Sequence, residues 1–182
     1  DIITNTWGTT AVAIITGYHD QISFGFSVAI SSTGHALVGA YGAKKAYIFA
    51  RDLTTGVWGT TAVTSIGTGY GGFGRAVAIT DSYAIVGAPG AKKASIFKRD
   101  SSGTWDSTAT ITLTSSESEF GYSVAISDNF AMVGCANWDD NGGAEKAYVY
   151  ALSSGTWSTA PVASITGYTG HSKFGFAVSM TD

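Results

Sequence analysis

Charge is scarce in this chain. Only 13% of its 182 residues are Asp, Glu, Lys or Arg, well below the quarter or so usual in soluble domains. The formal net charge is −3 and no basic block occurs, which excludes a surface built from clustered Lys and Arg for nucleic acid. The single cysteine, Cys135, excludes an internal disulfide and leaves the redox compartment undetermined. With two prolines in all, the turns depend on Gly, Asn and Asp. No apolar run reaches the ~18 residues of a membrane helix, so no membrane insertion is expected. The opening residues, DIITNTWGTT, lack the basic and apolar regions of a signal peptide. No Asn-x-Ser/Thr sequon is present, which removes N-linked sugars but not O-linked ones.

Ser, Thr and 24 glycines fill the gap, with 13% aromatics. That mixture suits many short strands and tight turns rather than helices. The same stretch recurs along the chain: FGFSVAISSTGHALV at 24–38, FGRAVAITDSYAIV at 73–86, FGYSVAISDNFAMV at 120–133, and FGFAVSMTD from Phe174. Each copy reads as two strands joined by a tight turn. A spacing of about fifty residues that carries several strands points to a propeller or a β-solenoid. A second motif runs in step with the first. Gly56, Gly103 and Gly155 each stand two residues before Trp58, Trp105 and Trp157, and Asn5 stands in the same place before Trp7. Gly and Asn are the residues that tolerate positive φ, so the spacing predicts a left-handed hairpin turn ahead of each Trp. AYIF, ASIF and AYVY supply a third strand, and a fourth follows each Trp.

Four antiparallel strands A to D, repeated in this way, predict an all-β propeller of four-stranded blades. Three blades are complete, over 24–66, 73–113 and 120–166. A lone strand D is expected over 7–15 and a lone strand A over 174–180. Residues 1–182 then form a single propeller segment of a larger ring or tandem array, because domains rarely begin and end inside hairpins. A β-sandwich needs no repeat, and four copies in register count against it. Strand A, the innermost, should carry small residues, as Ser27, Ala29, Ala78 and Ala125 do. The repeated Trp58, Trp105 and Trp157 should be buried between blades.

With Phe-Gly at each blade start and VGAPGAK at 86–92, the repeat resembles the FG-GAP repeat of integrin α-subunit propellers. It is more similar still to FG-GAP repeat proteins of microbes and protists. Only the middle copy has the full Gly-Ala-Pro; the first has Gly39-Ala40-Tyr41 and the third Gly134-Cys135-Ala136. The resemblance implies an extracellular ring, secreted or at the cell surface, that binds partners or acts as a rigid spacer. Many integrin blades also hold calcium between strands A and B. Here those turns are SSTG, TDS and SDN, too short and too poor in carboxylates for the 6 to 8 oxygens of calcium. No calcium site is carried over, and no cofactor is expected.

The densest polar cluster is NWDDNGGAE at 137–145. Asp139, Asp140, Asn141 and Glu145 offer oxygens to a cation, yet adjacent carboxylates chelate poorly and Asp-Asn-Gly-Gly is good turn chemistry. Propeller topology groups the D–A and B–C loops on one face. Tyr18, His19, Tyr70, Trp138, Tyr168 and His171 share it with Lys44, Lys45, Lys92 and Lys93, a candidate contact surface for a protein partner or a glycan; the alternative is that the tyrosines pack between blades. Glu117 and Glu119 are a loop pair, and Cys135 takes the place of Ala40 and Ala88. His19, His35 and His171 lack a nucleophile-and-base pattern, and no catalytic or phosphate-loop motif occurs. The chain is therefore expected not to be an enzyme. It reads as an adhesive or structural module, joined to further blades of the same chain or to other subunits. The alternative is a ligand- or glycan-recognition propeller carried by an enzyme whose catalytic domain lies elsewhere.

Overall fold

Residues along the repeats alternate between the two faces of a sheet, and they do so three times in one register. The computed structural model describes residues 10–15, 22–136, 145–167 and 173–181. The first sheet runs β1 (Phe24–Ile30), β2 (His35–Ala40), β3 (Lys45–Ala50), β4 (Thr64–Gly67). The second runs β5 (Ala76–Ile79), β6 (Tyr83–Ala88), β7 (Lys93–Lys98), β8 (Ile111–Thr114). The third holds β9 (Phe120–Ile126), β10 (Phe130–Cys135), β11 (Lys146–Ser153) and β13 (Ala163–Thr166), and the short β12 (Thr156–Trp157) pairs with the far end of β11. Every pairing is antiparallel. Val28, Val38, Tyr47 and Ser65 stand abreast in the first sheet. Val77, Val86, Ser95 and Thr112 do so in the second, and Val124, Val133, Tyr148 and Ser164 in the third. Helix among the described residues is confined to two 3-10 turns, Tyr41–Ala43 and Pro89–Ala91.

These sheets are propeller blades. Their A strands lie against one another, β1 beside β5 and β5 beside β9, while the outer strands β4, β8 and β13 make no comparable approach. That is a fan closed at its inner edge. Each blade's front face packs on the rear face of the next. Leu37, Ala46, Ile48 and Ile66 of the first meet Phe73, Val77, Val86, Phe97 and Trp105 of the second. Ile85, Ala94, Ile96 and Leu113 of the second meet Phe120, Val124, Val133, Tyr150 and Trp157 of the third. The core is thus two repeated interfaces and a third cluster on the rear face of the first blade, where Ile15 and Phe24 pack on Val38, Ala40, Tyr47 and Phe49; burial of these aliphatic and aromatic side chains supplies the main stabilisation.

The two glycines of each hairpin motif are explained at these interfaces. A methyl on Gly87 would collide with the carbonyl oxygen of Gly121, and one on Gly121 with the carbonyl oxygen of Lys93. Backbone touches backbone across the blades, and Gly121 also sits at φ 94°, where a side chain is strained. Gly39 with Gly74, and Gly134 with Gly175, repeat the contact.

The turn glycines ahead of each Trp behave as the spacing predicts: Gly56, Gly103 and Gly155 all have positive φ, while Asn5 lies outside the described residues. Trp105 and Trp157 are buried. Each reaches back to the start of strand B of the blade before it. Trp105 meets His35 with ring centroids 5.7 Å apart, and Trp157 meets Tyr83 at 5.3 Å. Trp58 departs from expectation. It is only half-buried, because no blade precedes the first among the described residues to provide the matching ring. Of the lone strands expected over 7–15 and 174–180, the described residues 10–15 and 173–181 form no ladder. In the complete blades strand A ladders with strand B, and D with C; neither stretch has that partner here. Residues 173–181 still take the place of the next A strand, held by a 2.6 Å hydrogen bond from Ser123 Oγ to the Gly175 carbonyl.

Candidate functional site

The sequence places its candidate contact face on the D–A turns and the B–C loops. Tyr18, His19, Trp138, Asp139, Asp140, Asn141, Tyr168 and His171 lie outside the described residues. Tyr70 packs between blades and carries a cation. Its half-buried ring packs against the first interface, and its outer side takes the Lys93 ammonium at 3.9 Å from the centroid, a cation–π contact. Lys44 and Lys92 have left-handed backbone at the ends of the 3-10 turns. Lys92 Nζ donates to the Ser116 carbonyl at 2.9 Å.

Glu145 occupies the place of Lys44 and Lys92 in the third repeat. It is buried, and its Oε2 accepts the backbone N–H of Phe174 at 2.6 Å. A carboxylate so engaged anchors the start of the next Phe-Gly rather than standing open. Among the described residues no three of His, Cys, Asp and Glu come close enough together to hold a metal ion.

Glu117 pairs with the Lys146 ammonium, and the Tyr148 hydroxyl donates to the same oxygen at 3.3 Å. The hydrogen bond to Glu117 raises the Lys146 pKa; burial, then the Glu117 charge, raises that of Tyr148. Cys135, fully buried, has its thiol pushed up to about 12, first by burial and then by Glu117. Cys135 packs in the second interface among Phe120, Val133 and Tyr150.

Two features escaped the sequence reading. The first is a clasp between neighbouring A–B turns. Asp81, in the second blade's turn, accepts Ser32 Oγ at 2.6 Å, Thr33 Oγ1 at 2.7 Å and Thr33 N–H at 3.0 Å from the first blade's turn. Burial pushes the Asp81 carboxyl up, but the hydrogen bonds from Ser32, Thr33 and Ser31 together outweigh it and hold the pKa well below the usual carboxylate range. The carboxylate thus joins the two neighbouring blades.

The second feature lies on the inner wall. The residue after each Phe-Gly is Phe26, Arg75, Tyr122 and Phe176, and these four stack in order. The Arg75 guanidinium carbon lies 4.9 Å from the Phe26 centroid and 4.0 Å from that of Tyr122. Tyr122 and Phe176 follow at 5.1 Å, and Tyr41 extends the row beyond Phe26 at 4.6 Å. They line a groove of about 420 Å³ along the A strands. The signal was in plain view: one position of the repeat is aromatic or cationic in all four copies.

Residues 105–150 match the family model described as the FG-GAP repeat. This stretch is similar to the FG-GAP repeat. The match begins at Trp105 in the second blade and ends at Tyr150 in the third. No curated protein matches the chain. It is similar to a crystal structure of a functionally unknown protein from Desulfotomaculum acetoxidans DSM 771, with a TM-score of 0.56 and 18% identity over 77% of this chain. The aligned part covers 41% of that protein. At that identity the likeness concerns the fold. Among the described residues, no helix is long and apolar enough to cross a membrane.

Proposed function

We propose that this chain is a non-catalytic structural and adhesive module that works outside the cell, extended by further blades of the same kind. One observation carries the reading. The outward faces of the end blades repeat the buried ones. Val28 and Ile30 on β1 are 68% and 66% exposed, whereas their equivalents Val77, Ile79, Val124 and Ile126 are buried between blades. On the opposite end, Phe130 and Ile165 are 45% and 46% exposed, whereas Tyr83, Ile66 and Leu113 at the matching places are buried. The two surfaces complement each other as the internal faces do. Further blades of one chain, or a second copy added head to tail, would cover them, and a head-to-tail contact that does not close propagates into a fibre.

Sedimentation velocity of residues 1–182 over a concentration series tests this. Concentration-dependent growth that Ile30→Glu or Phe130→Glu abolishes is the expected result. A cooperative monomer at every concentration, unaltered by either substitution, would overturn the assembly reading. The second reading, a recognition propeller carried by an enzyme, is favoured by the Tyr70–Lys93 contact and the row on the inner wall. A hydrolase domain in a longer parent sequence would support it.

A further inference from the structure

We propose that Arg75 anchors a binding groove for a carboxylate side chain presented by a partner polypeptide. The chain's three arginines are not used alike. Arg51 Nε donates to the Gly56 carbonyl at 2.9 Å, and Arg99 Nε to the Gly103 carbonyl at 3.0 Å; both brace a turn. Arg75 braces nothing. Among the described residues its guanidinium meets no carboxylate and no carbonyl, and its contacts are the rings of Phe26 and Tyr122. Phe26 and Tyr122 come from the blades on either side, so the guanidinium is held from both sides while its N–H donors keep their capacity for an acceptor.

The groove around it contains no acidic residue. Its two serines are already engaged. Ser27 Oγ accepts the Val77 N–H at 3.1 Å, and Ser123 Oγ donates to the Gly175 carbonyl. Arg75 is therefore the groove's charged donor, a single positive charge among apolar walls. That charge matches one carboxylate, which guanidinium binds through two parallel N–H···O bonds. A phosphate dianion would leave a charge uncompensated in a chain whose net charge is already −3. A sugar ring would need an open aromatic face to stack on. Those of Phe26 and Tyr122 are taken by the guanidinium, and the Phe26–Tyr41 and Tyr122–Phe176 rings meet tilted, at 62° and 45°. The half-exposed Phe26 and Phe176 flank the charge and offer apolar contact to the chain that carries the carboxylate.

The test is an NMR titration of the ¹⁵N-labelled 182-residue chain that follows the Nε–H signals of its arginines. The probe is the Gly-Glu-Phe-Gly peptide acetylated at its N-terminus and amidated at its C-terminus, and Gly-Gln-Phe-Gly blocked in the same way is its uncharged match. The Glu peptide should shift the Arg75 signal saturably and leave those of Arg51 and Arg99 in place. The Gln peptide should bind roughly tenfold more weakly or worse, the loss expected of a charge-assisted hydrogen bond. Arg75→Gln should abolish the effect. Arg75→Lys, which keeps the charge and the ring contacts but not the fork, should bind more weakly than the native chain, with a melting temperature close to native. Equal binding of Glu and Gln peptides, equal shifts at all three arginines, or no saturable shift would each overturn the proposal. Binding of an oligogalacturonate but not the Glu peptide would overturn the polypeptide source in favour of an acidic sugar.

Discussion

Trp105 and His35 meet edge to face across the first interface, and each carries a measurable consequence. Trp105 is 4% exposed. Trp105→Ala should cost ~3–5 kcal/mol, as for other fully buried aromatics. Trp58→Ala, at the half-buried equivalent position, should cost clearly less; urea titration of the two variants checks the order. His35 is buried beneath that ring, and its pKa is lowered, first by burial and then by Arg99, with Asp81 opposing. The folded state therefore holds His35 neutral to lower pH than the unfolded chain does. Its share of stability is complete above the unfolded value near 6.5 and is lost as pH falls through the folded value. His35→Tyr, which installs the residue found at the matching Tyr83, should flatten the stability profile below the unfolded value, measured as denaturant midpoint against pH. A profile unchanged by the substitution would show that His35 is as free to protonate as in the unfolded chain.

Within the elements, glycine has two uses that can be separated. Gly121 is crowded by the Lys93 carbonyl and has positive φ; Gly155 has positive φ with nothing within 4 Å. Gly155→Ala should cost only the backbone strain, ~1–2 kcal/mol. Gly121→Ala adds a collision between two backbones and should cost at least ~2 kcal/mol more. Thermal unfolding of both variants checks the difference. The A–B turns carry another expectation. Asp81 is committed to Ser32 and Thr33 of the neighbouring blade, so EDTA should leave the melting temperature unchanged. A drop of several degrees that calcium restores would place a cation among the residues of the 137–145 cluster. Asp81→Ala should loosen the joint between the first two blades, seen as faster amide exchange in 31–34 than in the native chain.

For the whole molecule, stability is a sum over interfaces, as in other stacked-repeat proteins. Leu113 is sealed between the second and third blades, while Ile165 stands at the same place on the outer face of the third, 46% exposed. Leu113→Ala should lower the unfolding free energy by ~2–5 kcal/mol. Ile165→Ala should scarcely change unfolding of the monomer but should weaken self-association. Denaturation together with sedimentation separates the two effects, and equal losses of stability would mean that the outer face is already covered.

The period, the strand order within a blade and the left-handed turns before each Trp are local properties, and the sequence determined them by itself. Backbone preference and alternation act over a few residues, so four aligned copies displayed them without any knowledge of neighbours. The tertiary structure alone decided what each repeated position does. Trp58 and Trp105 sit in nearly the same local sequence, yet among the described residues only Trp105 has a preceding blade to bury it. Glu145 offered oxygens to a cation on paper and instead caps the Phe174 N–H. Asp81 looked like turn chemistry and became a clasp. Phe26, Arg75 and Tyr122, far apart along the chain, became one row because the inner strands of successive blades converge. Side-chain partners at that range are chosen by how the blades stack, and the free energy of that stacking resides in the interfaces rather than in any single repeat.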